Sequence, residues 1–103
     1  MSFDVKLRVN DKTATLVLQG ELDASTATRF HDVIDEAARS GALELVIRAE
    51  QLGYLSSAGL RSLVFARQKM GDDVRIAFVG AAEPVARTIR MAGFDRSIDL
   101  VDA

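Results

Sequence analysis

The first part of the chain alternates between apolar and polar residues. Val5, Leu7 and Val9 are separated by single polar residues, which is the period-two pattern of a strand with one buried face. An Asn-Asp-Lys run then favours a turn, and residues 13–19 resume with β-branched and apolar residues up to Gly20. The pattern predicts two antiparallel strands joined by a hairpin, with the second strand ending at Gly20.

After this hairpin the period changes to that of a helix. From Ser25 or Thr26 onward, apolar residues recur every three or four positions until a Ser-Gly pair at 40–41, which predicts the first helix. Residues 43–49 are mostly apolar, as in a central strand covered by a helix. The order strand, helix, strand favours a crossover connection and parallel pairing.

The second half of the chain continues this alternation. A loop is expected over residues 50–55, and an amphipathic helix should follow, with Ser57 at its start and a Gly-Asp-Asp run at its end. Residues 74–79 predict another strand. A third helix should have Pro84 in its first turn and Gly93 just beyond its end.

Residues 98–101 predict a short final strand or tail. The whole pattern predicts one α/β domain over residues 1–103. Its mixed sheet should have four or five strands, with helices packed mainly on one face.

Composition narrows the classes of function. Hydrophobic residues make up 49% of the 103 residues, enough for one core without a disulfide or metal staple. The chain has no cysteine and one histidine, so we expect no thiolate chemistry, no metal site and no cofactor. The formal net charge is −2 and the charges are interspersed, which argues against direct contact with nucleic acid.

No segment suggests export or membrane insertion. The N-terminus leads directly into the first strand without a basic and then apolar leader, and no apolar run approaches the ~20 residues that span a bilayer. We therefore expect a cytoplasmic protein without membrane insertion, as a monomer or a weak dimer.

The most informative stretch places two serines, Ser56 and Ser57, before a small-residue pair and an apolar helix. Ser57 is predicted to cap this helix, and capping alone, worth about 1 kcal/mol, would account for a serine there. A hydroxyl at a helix start is also open to a kinase, and a phosphate there faces free N–H groups and the positive end of the helix dipole. Ala58 and Gly59 would let a partner come close.

Two carboxylates follow the second predicted strand. If the ends of the second and third strands are neighbours, Asp23 lies beside Ser57 and can orient its hydroxyl; otherwise Asp23 is an ordinary turn residue. Glu21 and Asp23 lack a third ligand for a cation. A hydrolytic site built on Asp23 and Ser57 would lack a base and an oxyanion hole, so we expect no enzyme.

The remaining polar candidates are interpreted as structural or solvated. His31 is expected to be a solvated surface residue of the first helix. The run at 80–84 lacks the spacing of a phosphate loop and is interpreted as a turn between strand and helix. Solvated helix faces are expected to carry the basic residues Arg61, Arg67, Lys69, Arg87 and Arg90.

Two motifs resemble the STAS domain of anti-sigma factor antagonists. The first is Gly20–Asp23 (Gly-Glu-Leu-Asp), with Thr26-Ala27 and Phe30 downstream, and the second is Tyr54–Arg61. The resemblance covers nearly the whole chain in the same order of elements. It implies a SpoIIAA-like fold, in which helices cover a mixed sheet and the phosphoacceptor serine immediately precedes the second helix.

The resemblance also implies a mechanism of partner switching. The acceptor would be Ser57, with Ser56 as the alternative, and the partner would be an anti-sigma factor that is a serine kinase. The unphosphorylated antagonist would bind this kinase and free a sigma factor, and a phosphatase would restore that form. Contact with the partner is expected from Glu21, Asp23, Ser56, Ala58, Gly59, Leu60 and Arg61.

The chain departs from the family pattern at two places. Ser56 stands where an aspartate is frequent, which leaves the choice between the two serines open. Arg48-Ala49-Glu50 stands where an acidic and a small polar residue are common, which bears on the identity of the partner. The alternative function is a non-switching STAS subunit, either an accessory protein of a lipid-transport ATPase or a scaffold in a signalling assembly.

Overall fold

The computed structural model describes residues 3–103 and alternates strands with helices. The strands are β1 (Asp4–Asn10), β2 (Thr13–Leu22), β3 (Glu44–Leu55), β4 (Arg75–Val79) and β5 (Asp99–Val101). The helices are α1 (Ala27–Arg39), α2 (Ser57–Met70) and α3 (Glu83–Met91), and a 3₁₀ turn over Phe94–Arg96 precedes β5. In this described part of the chain, no helix has the length and apolar character needed to cross a bilayer.

The five strands form one mixed sheet in the order β1-β2-β3-β4-β5. β1 and β2 are antiparallel, and the other neighbours are parallel. Each parallel step moves one strand further in the same direction, so right-handed crossovers place α1, α2 and α3 on the same face. Leu16, Leu18, Ile47 and Phe78 are fully buried in the core. The predicted mixed sheet with helices on one face is confirmed.

β2 and β3 are longer than the sequence predicts. β2 continues past Gly20 to Leu22, and β3 includes residues 50–55, which were expected to form a loop. Gly20 has φ 97° and lies where the β2–β3 register shifts. A glycine at such an irregularity resembles a strand end in a sequence, although pairing continues beyond it. The prediction of a loop at 50–55 is therefore wrong.

The predicted ends of α1 and α3 agree with the structure. Thr26 is the residue before α1, and Ser40 follows its last turn. α3 has Pro84 in its first turn and is followed by Gly93, whose φ of 74° is left-handed. That conformation reverses the chain after a helix at little steric cost for glycine.

One predicted solvated side chain, Arg67, has a structural role instead. Its guanidinium donates to the carbonyl oxygens of Gly71, Val74 and Ser97 at 2.7–3.1 Å. These hydrogen bonds connect the last turns of α2 with the residue before β4 and with the residue after the 3₁₀ turn. The expectation of simple solvation is wrong for Arg67, because sequence spacing does not reveal which carbonyls lie within reach of a long side chain.

The other basic residues of the helices remain at the surface. Lys69 pairs with Asp35 of α1 at 3.3 Å, and Arg90 pairs with Glu83 at 2.7 Å. Arg61 and Arg87 are exposed and have no ion-pair partner among residues 3–103.

Candidate functional site

The C-terminal ends of β2 and β3 lie side by side. Leu22 is opposite Leu55 in the parallel register, and the Ser56 N–H donates to the Leu22 carbonyl oxygen at 3.0 Å. The segment after β2, which contains Asp23, and the start of α2, which contains Ser57, are therefore at the same edge of the sheet. This is the arrangement on which the predicted proximity of Asp23 to the serine motif depends.

Ser56, rather than Ser57, caps α2. Ser56 has an extended backbone (φ −85°, ψ 176°), and its Oγ accepts a hydrogen bond from the Gly59 N–H at 3.1 Å. Ser57 is the first residue of the helix. The predicted cap is wrong by one residue, because two adjacent serines have the same capping chemistry and only the backbone angle distinguishes them.

This assignment separates the two hydroxyls chemically. The Ser56 hydroxyl is partly buried and engaged at the helix start. Ser57 is exposed, and within residues 3–103 its hydroxyl has no hydrogen-bond partner. Ser57 therefore presents the more accessible nucleophile.

Replacing Ser56 with alanine is expected to lower the free energy of unfolding by about 1 kcal/mol, because the Gly59 N–H loses its acceptor. The matched variant Ser57→Ala removes a hydroxyl without a partner and is expected to change stability by less than about 0.5 kcal/mol. Urea denaturation of the two variants measures both values. An equal or reversed order of stability would contradict the cap assignment.

Gly59 contributes to the site through packing. It is buried, and a Cβ at this position would lie 2.3 Å from the Leu22 carbonyl oxygen and 2.8 Å from Leu55 Cδ1. A side chain would therefore overlap with the ends of both strands. Gly59 was expected to contact a partner, but its burial gives it the role of letting α2 begin directly on the β2–β3 edge.

Asp23 is held in an ordered turn. Its Oδ1 accepts hydrogen bonds from the Ser25 hydroxyl at 2.7 Å and the Ser25 N–H at 2.9 Å. The Ser25 hydroxyl lowers the pKa of the Asp23 carboxyl below its ordinary value, with smaller contributions from the Ser25 N–H and from Thr26. Thr26 also donates to the Glu21 carbonyl oxygen at 2.9 Å. The turn presents a charged carboxylate, and within the described residues no hydrogen bond joins it to Ser57.

Exposed and half-exposed side chains precede and follow Ser57 along the chain and lie at the neighbouring end of β2. Tyr54 lies opposite Glu21 in the β2–β3 register and is 52% exposed. Arg61 is exposed one helical turn after Ser57. We call this area the switch surface, and its residues are Glu21, Asp23, Tyr54, Ser57, Ala58, Leu60 and Arg61.

Tyr54 belongs to the switch surface but is not among the contacts that the sequence predicts. The sequence predicts a loop at residues 50–55. A loop has no fixed alternation of side chains, so this prediction does not show that Tyr54 points outward. A large aromatic side chain exposed beside polar residues is the type that anchors many protein interfaces.

His31 is not a solvated surface residue. Its Nε2 lies 3.0 Å from Ser62 Oγ, and its ring stacks on Phe65 with centroids 4.2 Å apart. Ser62 is 1% exposed, and its hydroxyl donates to the Ala58 carbonyl oxygen at 3.1 Å. The expectation failed because the charged neighbours of His31 along the chain do not show that this turn of α1 packs against α2.

At residues 48–50, where the chain departs from the family pattern, the positive charge of Arg48 is neutralised by Glu50. Arg48 donates two hydrogen bonds to the Glu50 carboxylate. The hydrogen bond from Arg48 lowers the pKa of Glu50 below its ordinary value. The described residues contain no group of three or more histidine or acidic side chains that could hold a metal ion.

Comparisons with known proteins agree with this architecture. The family model described as "Mlab, STAS domain" matches residues 5–102. The anti-sigma-F factor antagonist RsfB of Mycobacterium tuberculosis is 28% identical over 99 residues, which are 96% of this chain and 81% of that protein.

Solved structures show the same fold. An anti-sigma factor antagonist from Mycobacterium paratuberculosis superposes with a TM-score of 0.88 at 24% identity, covering 97% of this chain and 86% of that one. SpoIIAA in its unphosphorylated form has a TM-score of 0.76 at 16% identity, covering 99% and 89%. SpoIIAA in its phosphorylated form, from Bacillus, has a TM-score of 0.75 at 17% identity, covering 99% and 91%.

Proposed function

The chain belongs to the STAS domain family, and from this premise we propose that it is an anti-sigma factor antagonist switched by phosphorylation of Ser57. In its unphosphorylated form it binds an anti-sigma factor that is a serine kinase, and this releases a sigma factor. Relatives that it matches over 81% and 87% of their own length are named anti-sigma factor antagonists. A phosphatase restores the binding form, and the cycle takes place in the cytoplasm.

One observation carries the choice of acceptor. The Ser57 hydroxyl is exposed at the first position of α2, whereas the Ser56 hydroxyl accepts from the Gly59 N–H. A kinase can reach the first hydroxyl without disturbing the helix cap. Phosphorylation of Ser56 would instead require the kinase to reach a partly buried oxygen that already accepts from the Gly59 N–H.

A phosphate on Ser57 changes binding without unfolding the site. It adds roughly −1.5 to −2 charges and lies at the positive end of the α2 dipole, which tolerates negative charge. Arg61 is one turn further along the helix and within the spacing at which an acid and a base pair favourably. The added charge joins Glu21 and Asp23 on the switch surface and repels a partner that docks there through acidic or dehydrated groups.

The switch surface serves as the docking area for the kinase. Tyr54 supplies an exposed aromatic group, Ala58 and Leu60 supply small and apolar contacts, and Arg61 supplies a cation. Ser56 and Gly59 support this surface from beneath through the helix cap and the close packing on Leu22. The chain is a substrate of the kinase and acts through binding rather than as an enzyme.

The proposal is tested by mapping the phosphorylated residue. The kinase is first isolated from native lysate on immobilised wild-type protein and then incubated with each variant and ATP. Wild type and Ser56→Ala are expected to gain one phosphate on Ser57, measured by mass spectrometry, and Ser57→Ala none. A phosphate retained in Ser57→Ala would contradict this acceptor. No phosphate on wild type would favour the non-switching STAS subunit.

A further inference from the structure

His31 joins the two helices that border the switch surface. It lies in the second turn of α1, which begins after the Asp23 turn, and its Nε2 is 3.0 Å from Ser62 Oγ in the second turn of α2. Ring stacking on Phe65, with an interplanar angle of 21°, fixes the plane of the imidazole. The contact is therefore defined in both distance and orientation.

The direction of the hydrogen bonds follows from the donors available. The Ser62 hydroxyl has one proton and donates it to the Ala58 carbonyl oxygen at 3.1 Å. With this proton used for Ala58, Ser62 Oγ is the acceptor toward His31, and we assign the proton of that contact to Nε2. The chain of bonds runs from His31 through Ser62 to Ala58, the residue directly after Ser57.

A serine hydroxyl that bonds back to a carbonyl in its own helix competes with the backbone and tends to bend the helix. In α2 this occurs in the turns that carry Ser57. A donor from α1 holds the Ser62 oxygen in one position and keeps that buried hydroxyl satisfied. The orientation of the first turn of α2 is thus tied to α1.

We propose that His31 is a positioning residue, which holds the start of α2 against α1 so that Ser57 and the Asp23 turn meet the partner in one fixed arrangement. This inference rests on the proposed function. A second link between the same helices, Lys69 with Asp35 at 3.3 Å, lies further from the switch surface along both helices. It supplies a control for helix packing in general.

The hydrogen-bond pattern is tested first, without any partner. Long-range ¹H–¹⁵N correlation of the imidazole is expected to show the proton on Nε2 in the neutral ring. A proton on Nδ1 alone would make Nε2 an acceptor and would overturn the proposed chain of bonds.

The positioning role is tested by binding of unphosphorylated variants to the isolated kinase. His31→Phe keeps a ring to stack on Phe65 but has no donor, and we expect its affinity to fall about three- to tenfold, the scale of one lost hydrogen bond. His31→Gln restores a donor and is expected to recover at least part of this loss. Lys69→Met should bind like wild type.

A double-mutant cycle distinguishes the loss of the His31–Ser62 hydrogen bond from a general loss of structure in His31→Phe. Ser62→Ala removes the other partner, and the double variant is expected to lose no more affinity than the stronger single variant. Equal binding by His31→Phe and wild type, or no recovery in His31→Gln, would overturn the role of His31 alone. If wild-type protein bound no kinase, the proposed function would be refuted instead. The ¹H–¹⁵N correlation would still show whether His31 Nε2 donates to Ser62.

Discussion

Gly59→Ala is expected to destabilise the protein by about 3 kcal/mol or more. The added methyl group would lie 2.3 Å from the Leu22 carbonyl oxygen and 2.8 Å from Leu55 Cδ1. Because the first contact is with backbone, α2 must move away from the end of β2 to make room. Alanine otherwise favours a helix over glycine by about 1 kcal/mol, so the expected effect is opposite in sign to the helix propensity.

Gly53→Ala provides the matched control. Its Cβ would meet the Gly20 carbonyl oxygen at 3.7 Å, an ordinary contact distance. Its effect is expected to stay within about 0.5 kcal/mol of wild type. Urea denaturation monitored by circular dichroism compares the two variants. A Gly59→Ala protein as stable as Gly53→Ala would contradict the close packing of α2 on the strand ends.

Ser57→Asp is expected to weaken binding to the isolated kinase about ten- to one-hundredfold, because it places a charge on the switch surface at the start of α2. The same substitution is expected to stabilise the folded protein slightly, by about 0.3–1 kcal/mol, since an acid favours the first turn of a helix. Loss of binding together with unchanged or increased stability separates a docking defect from unfolding. Isothermal titration calorimetry measures the affinity for the kinase, and thermal denaturation measures the stability of the folded protein.

Ser57→Asn controls for size, because asparagine has nearly the same shape as aspartate without its charge. We expect Ser57→Asn to bind within a few-fold of wild type and Ser57→Ala to bind like wild type. If asparagine and aspartate weakened binding equally, bulk rather than charge would control docking.

The parts of the fold that depend on local periodicity could be predicted from the sequence. Alternation from Val5 onward gave β1, and helical spacing after Thr26 gave α1. The end of β2 could not be predicted, because Gly20 lies at a register irregularity and a sequence does not show whether pairing resumes beyond it. The sequence does not predict the extension of β3 over residues 50–55 either, because these residues pair with that irregular end of β2.

The part of the candidate site that depends only on the order of the strands could be predicted from the sequence. Neighbouring parallel strands end at the same edge, which brings the Asp23 turn to the start of α2. Three features could not be predicted: the cap on Ser56, which the local backbone conformation decides, and two contacts between separate elements, that of His31 with Ser62 and that of Arg67 with its carbonyl partners. Each is decided by backbone angles or by the reach of a side chain across two elements.

The central claim is that one accessible hydroxyl at the start of α2 decides whether the partner docks. The most direct test is isothermal titration of the isolated kinase with wild-type protein carrying a phosphate on Ser57, compared with the same protein after dephosphorylation. The account predicts that the dephosphorylated form binds at least about tenfold more tightly. Equal affinities of the two forms would contradict it.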